Sequence, residues 1–340
     1  MSIETILLAV FGTILVTIFG IVFGLIYKGI DRKLVARLQS RIGPPIIQPF
    51  YDLQKLRIKE NIVPHNAVPW LFHFAPILSL TTSILLLLYI PIGGKKPILD
   101  GYGDIILVLY LLALPSLGLI LGGFASSSPY ASVGAQREMV MMMSYEFPLA
   151  VVVSAIAWRL TKAEPSLDVF SLSTLAEHSL WDIVGPLGAV GFLMLFIAIM
   201  AVVPANLVKI PFDAPEAETE IAGGLIVEYS GTNLAMFYLA DAVRTVAVGS
   251  LVIALFIPHN LSSFLGIDMG FTLMDINIFN FILDFLFYLL KLFLVIFVGV
   301  TVVRAATARL KIAQITSFYW LPTTLMALGG LALLVIDYSF

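Results

Sequence analysis

The chain has 340 residues, 60% of them hydrophobic and only 12% charged, with a formal net charge of −3 and a mean hydropathy of +1.01. Soluble globular chains carry about 45–50% apolar and about 25% charged residues, so this composition excludes a water-soluble fold and indicates a polytopic membrane protein. No cysteine is present, which excludes disulfide scaffolds, thiol catalysis, zinc–thiolate sites and iron–sulfur clusters ligated by this chain.

A helix crossing the hydrocarbon core needs about 20 mostly apolar residues. Eight such stretches run approximately Ile3–Tyr27, Pro69–Pro91, Ile105–Phe124, Met139–Arg159, Ile183–Leu207, Leu234–Ile257, Ile276–Val303 and Phe318–Ile336. The expected fold is therefore an all-α membrane helix bundle forming one integral domain over residues 1–340, with connections at about 28–68, 125–138, 208–233 and 304–317 on one side. The first stretch holds Glu4, no basic residue ahead of it and no small-residue cleavage pattern after it, which reads as a retained helix. Connections after spans 1, 3, 5 and 7 hold thirteen of the 19 lysines and arginines, against four on the other side, with Arg244 and Lys291 inside spans. The positive-inside rule makes the basic side cytoplasmic and puts both termini outside, in the cell membrane.

The first long connection opens with Lys33, Arg37 and Arg41, spaced as one basic helical stripe beside Leu34, Leu38 and Ile42. Such a stripe suits either anionic lipid headgroups or a protein partner. Gly43-Pro44-Pro45 breaks the helix, and Tyr51–Glu60 forms a short charged amphipathic segment. Arg41-Ile42-Gly43-Pro44, Gln48-Pro49 and Asp52-Leu53-Gln54-Lys55-Leu56 together form the pattern R-x-G-P … Q-P … D-x-x-K-L. It resembles the quinone-site membrane subunit of respiratory complex I and its homologues in membrane-bound nickel–iron hydrogenases and related ferredoxin-dependent, sulfane-reducing ion pumps. Only Pro45-Ile46-Ile47 separate the two proline motifs here, a shortening similar to the hydrogenase branch. The resemblance implies that Arg37, Arg41, Gly43, Pro44, Gln48, Pro49, Asp52 and Lys55, with Arg137 and Glu138 of Gly134-Ala135-Gln136-Arg137-Glu138, dock a peripheral arm.

The second long connection holds Asp213, Glu216, Glu218, Glu220 and Glu228 within Pro211–Ser230. Asp213, Pro215 and Glu216 suit the first turn of a helix as a capping arrangement. If that helix continues, Glu216, Glu220 and Glu228 share one broad face, about 40° and then about 80° apart. Carboxylates crowded beside apolar surface raise one another's proton affinity and titrate as a set, so both capping and proton handling remain open. The stretch P-F-D-x-x-E-x-E-x-E … E-Y resembles the same complex I subunit, and so does Ser144-Tyr145-Glu146. The resemblance implies that Glu146, Asp213, Glu216, Glu218, Glu220 and Glu228 line a proton or ion passage. Asn206 and Lys209 stand where complex I relatives have Glu and Arg.

Five charged residues fall in spans: Glu146, Asp241, Arg244, Asp284 and Lys291. Each is expensive at mid-membrane unless paired or near water. Asp241 and Arg244, three apart, are placed to touch, and Asp284 and Lys291, seven apart, to share a face toward the bundle interior; ion pairing and ion coupling are both open for them. Arg309-Leu310-Lys311-Ile312-Ala313-Gln314 resembles a family pattern weakly, because Ala313 replaces an acid, and no site residue is expected there. The four histidines form no metal pattern, and no nucleotide-binding motif is present.

The expected function is a non-catalytic anchor and coupling subunit of a complex I-related respiratory complex. The resemblance implies no cofactor in this chain, Fe–S clusters and Ni–Fe in cytoplasmic partner subunits, and antiporter-like and small membrane subunits alongside, with lipid around them and no nucleic acid. The alternatives are a quinone-binding subunit of complex I proper, a stand-alone secondary transporter, and a purely structural anchor.

Overall fold

The computed structural model describes residues 3–164, 170–262, 272–273 and 276–339. The expected outer connections at 160–182 and 258–275 therefore lie partly outside the described residues. All eight expected spans are helices long and apolar enough to cross a membrane, and the protein is a polytopic all-α membrane bundle. Strand pairing among the described residues is confined to Thr272–Leu273 against Ile276–Asn277 and an isolated Ile92–Lys95 bridge.

In chain order the helices are α1 (Ile3–Leu38), α2 (Gln48–Ile58), α3 (Pro69–Leu88), α4 (Ile105–Ala125), α5 (Pro129–Ala163), α6 (Leu172–Glu177), α7 (Pro186–Asn206), α8 (Glu218–Ile221), α9 (Gly231–Phe256), α10 (Ile278–Ile296), α11 (Val303–Ala306), α12 (Ile312–Phe318) and α13 (Thr324–Ser339). Helix α9 is the axis of the bundle and is enclosed almost all round; α1, α3, α4, α7 and α10 all pack on it, and α2 lies across it. Helix α1 instead turns Val10, Phe11, Ile14, Leu15 and Ile18 outward, as a lipid-facing helix does.

Two helices run well past their apolar stretches. Helix α1 continues to Leu38 and α5 starts at Pro129, because backbone hydrogen bonding does not stop where hydrophobicity does. The expected 125–138 connection shrinks to Ser126–Ser128, and Arg137 and Glu138 are helical. Arg41 falls beyond the end of α1, past Ser40 at φ 57°, so the basic helical stripe stops at Arg37.

Two π-turns, Phe297–Val302 and Tyr319–Thr323, join α10 to α11 and α12 to α13. At the second, Pro322 has no N–H to give, and Thr323 and Thr324 hydroxyls donate to the carbonyls of Phe318 and Tyr319. Side-chain hydroxyls that satisfy freed carbonyls are what permit such turns at membrane depth.

Candidate functional site

The acidic connection is not the continuous helix that the spacing suggests. It folds as a 3-10 turn at Ala214–Glu216, the single helical turn α8, and a second 3-10 turn at Gly224–Ile226. Ala222, Gly223 and Gly224 all take left-handed backbone angles (φ 54°, 97° and 53°), which ends α8. A Cβ on Gly224 would lie 2.0 Å from the carbonyl oxygen of Pro215, so only glycine lets the loop close on itself.

The carboxylates consequently part company. Glu216 and Glu218 line an inner cavity, Glu220 lies outside and accepts from Arg137 Nη1 at 2.5 Å, and Glu228 is half-buried further on. The expected shared face of Glu216, Glu220 and Glu228 does not exist. Asp213 does not cap a helix either; its Oδ2 accepts from Arg309 Nε at 2.8 Å.

The cavity has a volume of about 290 Å³ and lies where α1, α2, α9 and the acidic loop meet. Its charged lining is balanced, with Lys28, Arg32, Lys209, Arg244, Arg304 and Arg309 against Asp31, Asp52, Asp213, Glu216, Glu218 and Asp241. Asp241 Oδ2 accepts from Lys28 Nζ at 2.7 Å and from Lys209 Nζ at 2.9 Å. The expected Asp241–Arg244 pair is therefore replaced by a two-lysine clamp, because lysines from α1 and the acidic loop reach Asp241 while Arg244 points further inward. Asp31 accepts from Thr301 Oγ1 at 2.8 Å and Arg304 Nη1 at 2.7 Å.

Burial pushes Glu216 up from the ordinary carboxylic acid value of 4.5 to about 7, with the nearby Lys209 opposing and Asp241 and Glu138 reinforcing the rise. Burial works against the charge on Lys209, yet Asp241 and Glu216 carry its pKa above the usual lysine value. Glu216 is thus the group in this lining that changes charge near neutral pH while a lysine beside it stays charged.

Arg244 reaches from the cavity into the bundle. It is buried, and donates through Nε to Asn206 Oδ1 at 3.0 Å and through Nη2 to Ser116 Oγ at 2.8 Å. Three α5 groups, Glu138, Tyr145 and Glu146, lie within electrostatic reach of it. Glu138 is 0% exposed. It was expected among the docking residues; helix α5 starts early enough to carry it inside instead.

The first connection keeps its exposed basic residues. Arg37, Arg41 and Lys55 lie on the surface. Gly43 lets the returning chain pack on α1, since a Cβ there would lie 2.9 Å from Lys33 Cα. Pro44 is half-buried and Pro49 is buried in the first turn of α2. Asp52 accepts from Gln48 Nε2 at 3.0 Å and Arg32 Nη1 at 2.8 Å; burial opposes its charge, but these donors hold its pKa below the usual carboxylate value. Gln48 and Asp52 thus order α2, while Arg37, Arg41 and Lys55 remain outward.

Asp284 and Lys291 belong to the opposite end. Asp284 accepts from the backbone N–H and hydroxyl of Ser262 at 2.8 and 2.7 Å. Lys291 Nζ donates to the carbonyls of Ile257 and His259 at 2.8 and 3.0 Å. Lys291 lines a second cavity of about 300 Å³ there, apart from the acidic group.

Sequence reasoning missed Lys28, Asp31, Lys209, Arg304 and Arg309 as cavity residues. Arg309 and Asp213 are 96 positions apart, so no local spacing reveals them. The one available signal was the basic run at Arg309–Lys311, set aside because Ala313 lacks a carboxylate. No cluster of His, Asp and Glu able to hold a metal occurs among the described residues.

The NADH dehydrogenase family profile matches residues 11–335. A membrane subunit of the NADH-quinone oxidoreductase of Brevibacillus brevis is 33% identical over 320 residues, covering 91% of this chain and 87% of that protein. Its counterpart of the same name in Syntrophotalea carbinolica is 34% identical over 247 residues, covering 67% of this chain and 70% of that one. A chain in the structure of the membrane-bound sulfane sulfur reductase, an archaeal respiratory membrane complex, superposes with a TM-score of 0.80 at 29% identity, covering 96% of this chain and 99% of that chain.

Proposed function

This chain belongs to the NADH dehydrogenase family, as a membrane subunit of a complex I-related respiratory complex, and on that premise we propose that it is the joint where electron transfer drives ion movement. The reading rests on one observation above the others: a charge-balanced cavity of about 290 Å³ whose lining includes an acid poised near pH 7. The basic outer rim of Arg37, Arg41 and Lys55 docks a cytoplasmic arm carrying Fe–S clusters, of the sulfane reductase or membrane-bound hydrogenase type and fed by ferredoxin. Arg137, which holds Glu220, borders the same surface. The cavity end faces the cytoplasm and both termini face outward, the orientation that thirteen basic residues on that side favour.

The chemistry follows from the clamp. Asp241 fixes the positions of Lys28 and Lys209, so a change in charge just outside the cavity falls on Glu216 rather than on mobile lysines. An electron arriving in the docked arm raises the proton affinity of Glu216, and an electron leaving lowers it. Glu216 takes up a proton in the first case and releases one in the second, and antiporter-like partner subunits convert that cycle into H⁺ or Na⁺ movement. This chain supplies no redox centre of its own in this scheme; Fe–S clusters, and Ni–Fe in a hydrogenase-type assembly, belong to the partner subunits.

The test is Glu216→Gln in the purified complex reconstituted into vesicles. The reading requires that donor oxidation continue while ions moved per electron fall to near zero. An unchanged ratio sinks it and favours the structural anchor. The cysteine-free sequence makes orientation directly testable: Lys59→Cys should react with an impermeant maleimide from the cytoplasmic side only, and Lys96→Cys from the outside only.

A second reading has a specific observation behind it. Two relatives at 33% and 34% identity are subunits of NADH-quinone oxidoreductases, and the cavity has room for a polar quinone headgroup. Its charged lining offers little to an isoprenoid tail. Competition by a quinone-headgroup inhibitor against donor oxidation would favour this reading, and indifference to it would favour the first.

A further inference from the structure

Resting on the proposed coupling role, we propose that Glu138 is a proton-holding site between the Glu216 cavity and the interior of the bundle, and that Arg244 is the positioning residue that holds it in service. No expectation from the sequence pointed there, since Glu138 stood with the docking residues. Its burial, its place in line and the anchoring of Arg244 carry the inference together.

Glu138 is wholly enclosed, and neither of its carboxylate oxygens has a hydrogen-bond partner. A permanently ionised carboxylate in that setting would be costly, and a purely structural one would be tied down as Asp31, Asp213 and Asp241 are. The Ser116 hydroxyl lies beside it without a well-formed bond to it; Ser116 Oγ already accepts from Arg244.

The group also stands in line. Glu216, which faces the cavity, and Glu138 act on each other electrostatically, and Glu138 in turn acts on Tyr145. About two helical turns beyond Glu138 on α5 come Tyr145 and Glu146, whose Oη and Oε1 are likewise buried without partners. Unpartnered polar atoms on one stretch of one helix mark a route rather than a scaffold.

Arg244 is fixed independently of the acids it serves. It donates to Asn206 on α7 and Ser116 on α4, so it keeps its place whichever acid is charged. It acts electrostatically on Glu138, Tyr145 and Glu146 together. The remaining titratable groups facing this set are Tyr319, across from Tyr145 and bonded to the carbonyl of Ala201, and Glu216 from the loop; among the described residues no second cation acts on Glu138.

The step balances simply. The O–H bond of neutral Glu216 breaks, its proton passes through an intervening hydroxyl or water, and an O–H bond forms on the Glu138 carboxylate. Glu216 is left as an anion facing Lys209, and Glu138 is neutral beside Arg244. The next transfer, toward Tyr145 and Glu146, restores the Glu138 anion against the same guanidinium.

The experiment uses the assembled complex in vesicles, comparing wild type with Glu138→Gln, Glu138→Asp and Glu216→Gln. Gln keeps the shape of Glu, so assembly should persist. The expected results are loss of ion movement per electron in Glu138→Gln, partial rescue in Glu138→Asp, and a carboxylic C=O band in redox-difference infrared spectra that vanishes in the first and shifts in the second. Should Glu138→Gln not assemble, the Glu138→Asp band decides alone: a shift supports the inference and an unshifted spectrum overturns it. Full pumping in Glu138→Gln with loss in Glu216→Gln overturns this inference and leaves the coupling role standing. Full pumping in both overturns the coupling role itself. For Arg244, the readout is the same band in Arg244→Lys: a displaced band with assembly intact supports a positioning role, and an unmoved band overturns it.

Discussion

The two ends of the bundle use buried charge in opposite ways. At the end away from the long connections, charges terminate on backbone. Asp337 accepts from the Gly185 and Gly188 N–H groups at 3.0 and 2.9 Å and lies 3.5 Å from Arg159, so it closes the start of α7. Lys291 closes the end of α9 through two carbonyls. At the cavity end, charges terminate on one another, and some not at all: Lys28 and Lys209 share Asp241, while Glu138 and one oxygen of Glu146 have no partner. A charge bonded to backbone has one state worth occupying. A charge bonded only to other charges has a proton affinity that its neighbours can move. That contrast, more than the number of acids, separates scaffold from machinery here.

The largest effect should come from breaking the scaffold end. Asp337→Ala would leave Arg159 buried without its partner and two α7 N–H groups unsatisfied. Removing one member of a buried pair costs about 3–5 kcal/mol. The expected outcome is a steep fall in the yield and melting temperature of the assembled complex, with ions per electron unchanged in whatever assembles. A normal yield with a lowered coupling ratio would erase the distinction between the ends.

Next in size is the clamp. In Asp241→Asn, Lys28 and Lys209 lose their common carboxylate, and two ammonium groups face each other across the cavity. The expected result is a loss of coupling larger than the loss of melting temperature, the reverse of Asp337→Ala. Equal losses in both readouts would mean that Asp241 is scaffold as well.

These contrasts also explain what the sequence made legible. All eight spans were readable, because about 20 apolar residues in a row leave few other structures open. The helix extensions at Lys28–Leu38 and Pro129–Glu138 were not, since polar residues there end the hydropathy signal without ending the helix. Asp213, Glu216 and Glu218 were picked out as cavity acids through the family resemblance, yet their geometry was misjudged. The spacing argument assumed one helix, and the left-handed run at Ala222-Gly223-Gly224 replaces it with three turns. Partners were the least legible part. Asp241 meets Lys28 and Lys209 rather than Arg244, and Asp213 meets Arg309, because the bundle decides which distant side chains reach a buried charge.

A milder prediction concerns Lys291. Lys291→Met removes a cation from the carbonyl end of α9, a contribution of about 1–2 kcal/mol. The expected result is a modest drop in melting temperature and an unaltered coupling ratio, although sequence reasoning had placed Lys291 among the coupling residues. A lost ratio would extend the machinery across the whole membrane.

The smallest effect carries the finest distinction, because it reads one proton. Glu216 binds its proton up to about pH 7 in the folded protein, whereas an ordinary glutamate releases it near pH 4.5. Between those values the folded chain holds more protons than the unfolded one, so the linkage slope is negative and this acid's contribution to stability declines as pH rises from 4.5 through about 7, then levels off. Glu216→Gln has no proton to lose. Its melting temperature relative to wild type should therefore climb across that window and stay flat above it, measured in the assembled complex at matched ionic strength. A difference independent of pH would mean that Glu216 behaves as a solvated surface acid. A difference that climbs, without any change in ions per electron, would keep the burial and deny it a role in coupling.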